Sequence, residues 1–169
     1  MMLSIILTAI LAVLIVTFYA QVVGAPPVPT PKKVLGRMIT LAAIKPCQRV
    51  YDLGCGDGRL VFAAAAQGGD ARGFEISPLV YLWARLQKFF LKSRGRIYFR
   101  DFLWVNLRPA DIIFLYMFPT TIKMFLQKKF RRELRPGTKV ISYSFEIPGL
   151  TLVKKERVIP YGYIFVYQV

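Results

Sequence analysis

The sequence predicts an α/β sandwich, a mostly parallel sheet between layers of helices, with one long apolar helix in front. Three observations predict it. The stretch Val50 to Arg59, VYDLGCGDGR, passes from a short apolar run through a glycine turn into the helix-compatible LVFAAAA, the pattern of a nucleotide-type βα unit. Further apolar runs and helical segments then alternate to the end of the chain, which favours a parallel sheet. Met2 to Val23 carries no charged side chain.

The N-terminal stretch divides the chain into three parts. Residues 1–23 read as a transmembrane anchor, because 22 helical residues rise about 33 Å against a hydrocarbon core of about 30 Å. A secretory signal peptide is disfavoured by the lack of a basic n-region. Every basic residue lies beyond the apolar stretch, from Lys32 onward, so the positive-inside rule places the body of the protein in the cytoplasm. Residues 24–31, GAPPVPTP, form a stiff proline-rich spacer. Residues 32–169 are long enough for one domain.

Thr30 and Pro31 read as an N-cap and first-turn pair, opening a helix with Val34, Leu35, Met38, Ile39 and Ala42 inside and ending before Pro46. Ser77-Pro78 opens another through about Leu91, with Trp83, Leu86, Phe89 and Phe90 as core positions and Arg85, Lys88 and Lys92 outside. Strands follow at Ile97 to Arg100, Asp111 to Leu115 and Lys139 to Ser144. A helix from Pro119 packs Ile122, Phe125, Leu126 and Phe130 inward and leaves Lys123, Lys128, Lys129, Arg131 and Arg132 outside. Leu150 to Val158 and Ile164 to Tyr167 close the sheet as a hairpin.

Composition narrows the chemistry. Lys and Arg number 24 against nine Asp and Glu, a net charge of +15. That excess fits an anionic partner, a lipid surface or nucleic acid; with an apolar anchor present, lipid is favoured. The absence of histidine removes His-based triads, His metal sites and a His general base. Cys47 and Cys55 form no disulfide framework, which fits a reducing compartment.

The glycine spacing selects a ligand class. A dinucleotide turn wants GxGxxG, but from Gly54 the third glycine position falls on Arg59. The chain shows DxGxGxG instead, with Asp52 at the strand end and glycines at 54, 56 and 58. Glu75 ends the next apolar run, where an acid can accept hydrogen bonds from both hydroxyls of a ribose. Asp101 and Phe102 end a third, suited to hold and stack an adenine. On these motifs the chain resembles the S-adenosylmethionine-dependent methyltransferases of the Rossmann-like, seven-stranded kind.

The resemblance implies a cofactor site of Thr30 (in a pre-strand PTP element), Asp52, Leu53, Gly54, Cys55, Gly56, Asp57, Gly58, Glu75, Ile76, Asp101, Phe102 and Tyr116, with no metal. It places Tyr116, Phe118 and Pro119 at the reacting end. The Asn-Pro-Pro-aromatic box of many nitrogen methyltransferases is replaced there by Tyr116-Met117-Phe118-Pro119. This segment, with the later SYSF, is similar to the membrane-anchored protein lysine methyltransferases. Those are relatives of the mitochondrial ATP synthase c-subunit and adenine nucleotide translocase enzymes, and they have prokaryotic homologues. A protein lysine, that of a membrane protein included, is then the implied substrate, and methyl transfer needs mainly alignment and a dry site that keeps the amine neutral. Tyr116 and Phe118 either face that amine or simply close the core. A lipid, a quinone-type molecule or RNA as substrate, or a non-catalytic binding scaffold, are the competing readings.

Overall fold

The computed structural model describes residues 1–23 and 28–169; most of the expected spacer, residues 24–27, lies outside them. Seven strands form one sheet in the order β3-β2-β1-β4-β5-β7-β6. The strands are β1 (Arg49–Leu53), β2 (Asp70–Glu75), β3 (Arg96–Phe99), β4 (Ile112–Leu115), β5 (Lys139–Tyr143), β6 (Leu152–Val158) and β7 (Gly162–Gln168). The first five are parallel, and β7 joins β5 and β6 antiparallel, giving the expected hairpin. The helices are α1 (Met2–Val23), α2 (Lys32–Ala42), α3 (Arg59–Ala66), α4 (Pro78–Phe90), α5 (Pro119–Thr121) and α6 (Gln127–Glu133). A π-helical turn, Ile122–Leu126, runs between the last two, and a 3₁₀ turn, Phe102–Trp104, follows β3.

Side chains alternate across the pleat, so each strand feeds two cores. Val50, Ala71, Ile97, Ile112 and Phe114 pack under α2, α3 and α4. Tyr51, Leu53, Phe74, Ile113 and Leu115 pack under the π turn and α6. Leu53, Phe114 and Leu115 are fully buried, and truncating any of them to alanine costs roughly 2–5 kcal/mol.

Gly73 marks where β2 and the turn after β1 come closest. A Cβ built there would lie 2.6 Å from Cys55 Sγ and 2.7 Å from both Cys55 Cβ and Val61 Cγ2. Gly73→Ala is therefore expected to destabilise the domain by roughly 1–3 kcal/mol or more through overpacking, read as a lower midpoint in chemical denaturation.

Three local expectations are corrected. Thr30 does not cap α2: the helix begins at Lys32, and its first turn closes from Leu35 N–H onto the Pro31 carbonyl, because proline at the cap fixes an extended entry without needing a side-chain bond. Lys129 is buried rather than outside. It donates to Glu133 Oε1 at 3.0 Å and to the Leu103 carbonyl at 3.1 Å, while Glu133 Oε2 accepts from Leu107 N–H at 3.0 Å, so a buried charge is held by a half-buried partner. On α4 the apolar stripe faces outward. Only Ala84 is buried, and Trp83, Leu86, Phe89 and Phe90 are exposed by 52%, 45%, 75% and 71%. The alanine side lets the helix approach β2 and β3 closely, which reverses the usual sense of an amphipathic helix.

α1 is the one helix among the described residues long and apolar enough to cross a membrane, and none of its segment from Met2 to Tyr19 is buried.

Candidate active site

The strand order reverses between β1 and β4, and in open α/β sheets ligands lie beyond the carboxyl ends of the strands at that point. The turn leaving β1 is there. Gly54 and Cys55 N–H both donate to the Phe74 carbonyl at 3.0 Å, tying the turn to β2, and Phe62 N–H donates to the Gly58 carbonyl at 2.9 Å to start α3. Gly56 has φ +56°, and a Cβ built on it would meet nothing within 4 Å. The backbone at Gly56 therefore faces open space that a side chain would fill.

Three acids converge on this turn. Glu75, buried at the end of β2, accepts from Gly56 N–H through Oε2 at 3.0 Å and from Ser77 N–H through Oε1 at 2.8 Å. Its carboxylate thus bridges the glycine turn and the start of α4. Burial raises its pKa, and the N–H groups of Ser77, Gly56 and Ile76 pull it part of the way back. Asp52 is also buried; burial first, then Glu75 and Asp57, push its pKa up to about 8. The same burial, with Asp52 and Glu75, raises the Cys55 thiol, which makes it unreactive. A cluster of crowded, desolvated carboxylates is an environment that a cation would relieve.

Asp57, the third acid, is paired with Arg59. It receives Arg59 Nε at 2.9 Å, and Arg59 Nη1 donates to the Thr30 carbonyl at 2.8 Å. This clamp holds buried Thr30 over the glycine turn. Arg59 is a site residue that sequence reasoning missed as such; its one signal was that it stands where a dinucleotide turn has glycine. Ser77 is a second. Its Oγ is buried without a hydrogen-bond partner, and it follows Glu75 by two positions. As the N-cap of α4 it makes no side-chain bond to the helix, so the predicted capping is positional only.

Asp101 accepts from Leu103 N–H at 2.8 Å and caps the 3₁₀ turn. The Phe102 ring is buried in the core under the π turn and α6, and Ile76 is half-buried between Glu75 and Ser77. At the end of β4, Tyr116 lies 4.5 Å from the Tyr143 ring centre and stacks on Phe145 at 6.4 Å; Phe118 meets Phe145 at 6.4 Å. Pro119 follows as the first residue of α5. Two adjacent strand ends so build one aromatic wall, with Tyr143 and Phe145 completing it. Among the described residues no group of His, Cys, Asp and Glu is placed to hold a metal ion.

Comparison with known proteins places this arrangement. The model of the ANTKMT methyltransferase domain matches residues 52–154. A protein-lysine N-methyltransferase of Saccharolobus islandicus is 37% identical over 128 residues, covering 73% of this chain and 79% of that protein. The mouse adenine nucleotide translocase lysine N-methyltransferase is 34% identical over 103 residues, covering 59% of this chain but only 44% of the mouse enzyme. Among solved structures, an RNA methyltransferase of Salinibacter ruber in complex with S-adenosyl-L-homocysteine superposes with a TM-score of 0.78 at 28% identity. It covers 84% of this chain and 94% of that one. The chain belongs to the ANTKMT methyltransferase domain family and has the Rossmann-like fold and S-adenosylmethionine dependence of that class of enzyme.

Proposed function

We propose that the protein is a membrane-anchored N-lysine methyltransferase. Residues 1–23 form a single-pass anchor, 24–31 a spacer, and 32–169 the catalytic domain on the cytoplasmic side. The observation that carries the lysine reading is the aromatic wall of Tyr116, Tyr143, Phe145 and Phe118 at the ends of β4 and β5. The lysine specificity of the Saccharolobus islandicus and mouse relatives supports it.

The residues present fit the cofactor. Gly56 leaves an opening, Ser77 Oγ lacks a partner, and two buried acids await a positive charge. Bound S-adenosylmethionine supplies an electrophilic methyl carbon on a sulfonium. In this reading Asp52, which gives up its proton as the positive charge arrives, and Glu75 provide the negative field, and Glu75 also receives the ribose hydroxyls. Thr30, Leu53, Gly54, Cys55, Gly56, Asp57, Gly58 and Ile76 line the cradle, and Asp101 and Phe102 bound its adenine end. Tyr116, Phe118 and Pro119 shape the entry of the amine. Aromatic faces hold a lysine head by cation–π contact, and exclusion of water lowers its pKa from about 10.4 toward the neutral, nucleophilic form.

Tyr116→Phe keeps the ring contacts and removes the Tyr116 hydroxyl proposed to accept from the amine. It is expected to lower kcat about ten-fold with S-adenosylhomocysteine affinity unchanged. Full activity of that variant would mean the hydroxyl only packs.

RNA is the second reading, favoured by the +15 charge and by the Salinibacter ruber neighbour. The deciding experiment supplies methyl-labelled cofactor together with membranes, basic proteins and RNA. Label recovered as methyl-lysine supports the proposal; label in RNA or extracted lipid rejects it.

A further inference from the structure

We infer that the outer face of α4 is a membrane-docking surface that seats on anionic phospholipid, a second contact beside the α1 anchor. The inference rests on the anchored reading above and extends it from a tether to an oriented domain.

The apolar side of α4 points outward. Leu79, Leu82, Trp83, Leu86, Phe89 and Phe90 recur at helical spacing on the side opposite Ala84, and each is 45–75% exposed. A contiguous apolar stripe on the outside of a helix marks an interaction site. Phe99 on the edge strand β3, tilted against Tyr81 of α4 with ring centres 5.4 Å apart and still 54% exposed, adds a further aromatic side chain beside the stripe.

Charge identifies the occupant. α4 contains no acidic residue, and Arg85 and Lys88, followed by Lys92, run along one flank of the stripe. Arg85, Lys88, Phe89, Phe90, Lys92 and Ser93 line a groove of about 540 Å³. Three cations beside two aromatic rings match a phosphate headgroup and the acyl boundary beneath it. An apolar face alone would also suit a protein partner; the cations along its flank, with no acidic residue on α4 to pair them, favour an anionic lipid surface.

Continuity supports the same occupant. α1 comes close to α4, so the helix proposed to enter the bilayer lies beside the helix proposed to lie on it. α4 is too basic to be immersed and too apolar to be left in water, which places it in the interfacial plane with its aromatics at headgroup depth. Docked this way, the domain cannot rotate freely about its spacer, and it presents its site to lysines close to the membrane surface.

The chain has two tryptophans, Trp83 and Trp104, so in full-length Trp104→Phe protein the emission reports on α4 alone. That protein is incorporated into vesicles of phosphatidylcholine with phosphatidylglycerol, with or without bromine-labelled acyl chains. The expected result is blue-shifted Trp83 emission, quenched at least two-fold by the brominated lipid and less in vesicles of phosphatidylcholine alone. Phe89→Ser with Phe90→Ser should weaken that quenching while the protein still floats with the vesicles. Flotation with Trp83 open to iodide would overturn the docking face and leave the anchor standing. Failure to float at all would overturn both. Trp83 shielded from iodide but not quenched by brominated lipid, with a dimer by sedimentation, would assign the face to a second copy of the chain and also overturn the inference. Equal quenching in neutral vesicles would overturn the anionic preference.

Discussion

Gly56→Arg is expected to abolish binding of S-adenosylhomocysteine and S-adenosylmethionine while leaving the domain folded. At this residue φ is +56°, a region that costs a side chain about 1–2 kcal/mol. No protein atom lies within 4 Å of the new Cβ, so the penalty stays near that backbone cost. The arginine instead extends into the space proposed for the ligand. Its cation would also compete for Glu75, a buried acid proposed to face the cofactor. Together these predict a loss of at least about 100-fold in affinity, close to 3 kcal/mol, measured by calorimetry. The contrast with Gly73→Ala separates the two roles of glycine in this site. Gly73 is a packing position, where the variant should lose stability first. Gly56 is a ligand position, where it should lose binding first. Retained affinity in Gly56→Arg would mean that the cofactor does not approach this turn.

The parts of the fold and site that could be read from the sequence share a physical reason: each is fixed by short-range constraints. The glycine turn needs positive φ at successive positions, and the structure gives Gly54, Gly56 and Gly58 φ values of 69°, 56° and 81°. Glu75 and Asp101 end their runs because parallel strands deliver side chains to one edge of the sheet. The mostly parallel sheet follows from the alternation of strands and helices, and the closing hairpin from the turn residues Pro160-Tyr161-Gly162 between its strands. The spatial order of the strands is not legible in the sequence. What escaped depends on partners distant in sequence. Arg59 acts through Thr30, 29 positions away, and nothing local shows that a guanidinium will reach a carbonyl there. Lys129 reads as a solvent-facing cation until Leu103 and Glu133 are seen to enclose it. The α4 stripe shows a different failure. Periodicity reports that a helix has an apolar face but not where that face points, and Ala84 allowed the other side to meet the sheet.

Asp52 makes a large effect of pH expected. In the unfolded chain its carboxyl titrates near 3.8; in the folded protein burial, then Glu75 and Asp57, raise it to about 8. Between those values the folded state holds a proton that the unfolded chain has released. Stability must then fall as pH rises through that window and level off above it, by about 1.4 kcal/mol for each pH unit crossed. Glu75, also raised by burial, acts in the same direction. Asp70, lowered by Arg72, and Glu156, lowered to about 2 by Arg37, work oppositely. Their contribution is present above the ordinary carboxylate pKa and is lost only in acid, so they do not mask the trend. The full-length protein in detergent is expected to melt roughly 10 °C lower at pH 8 than at pH 5, followed by near-ultraviolet circular dichroism. Asp52→Asn should flatten most of that slope, because the neutral amide has no proton to lose. Parallel profiles for the two proteins would show that Asp52 does not titrate in this range. Saturating S-adenosylmethionine should flatten the wild-type slope more than S-adenosylhomocysteine does, since both ligands carry the α-ammonium and carboxylate but only the former adds a sulfonium charge near the buried carboxylates.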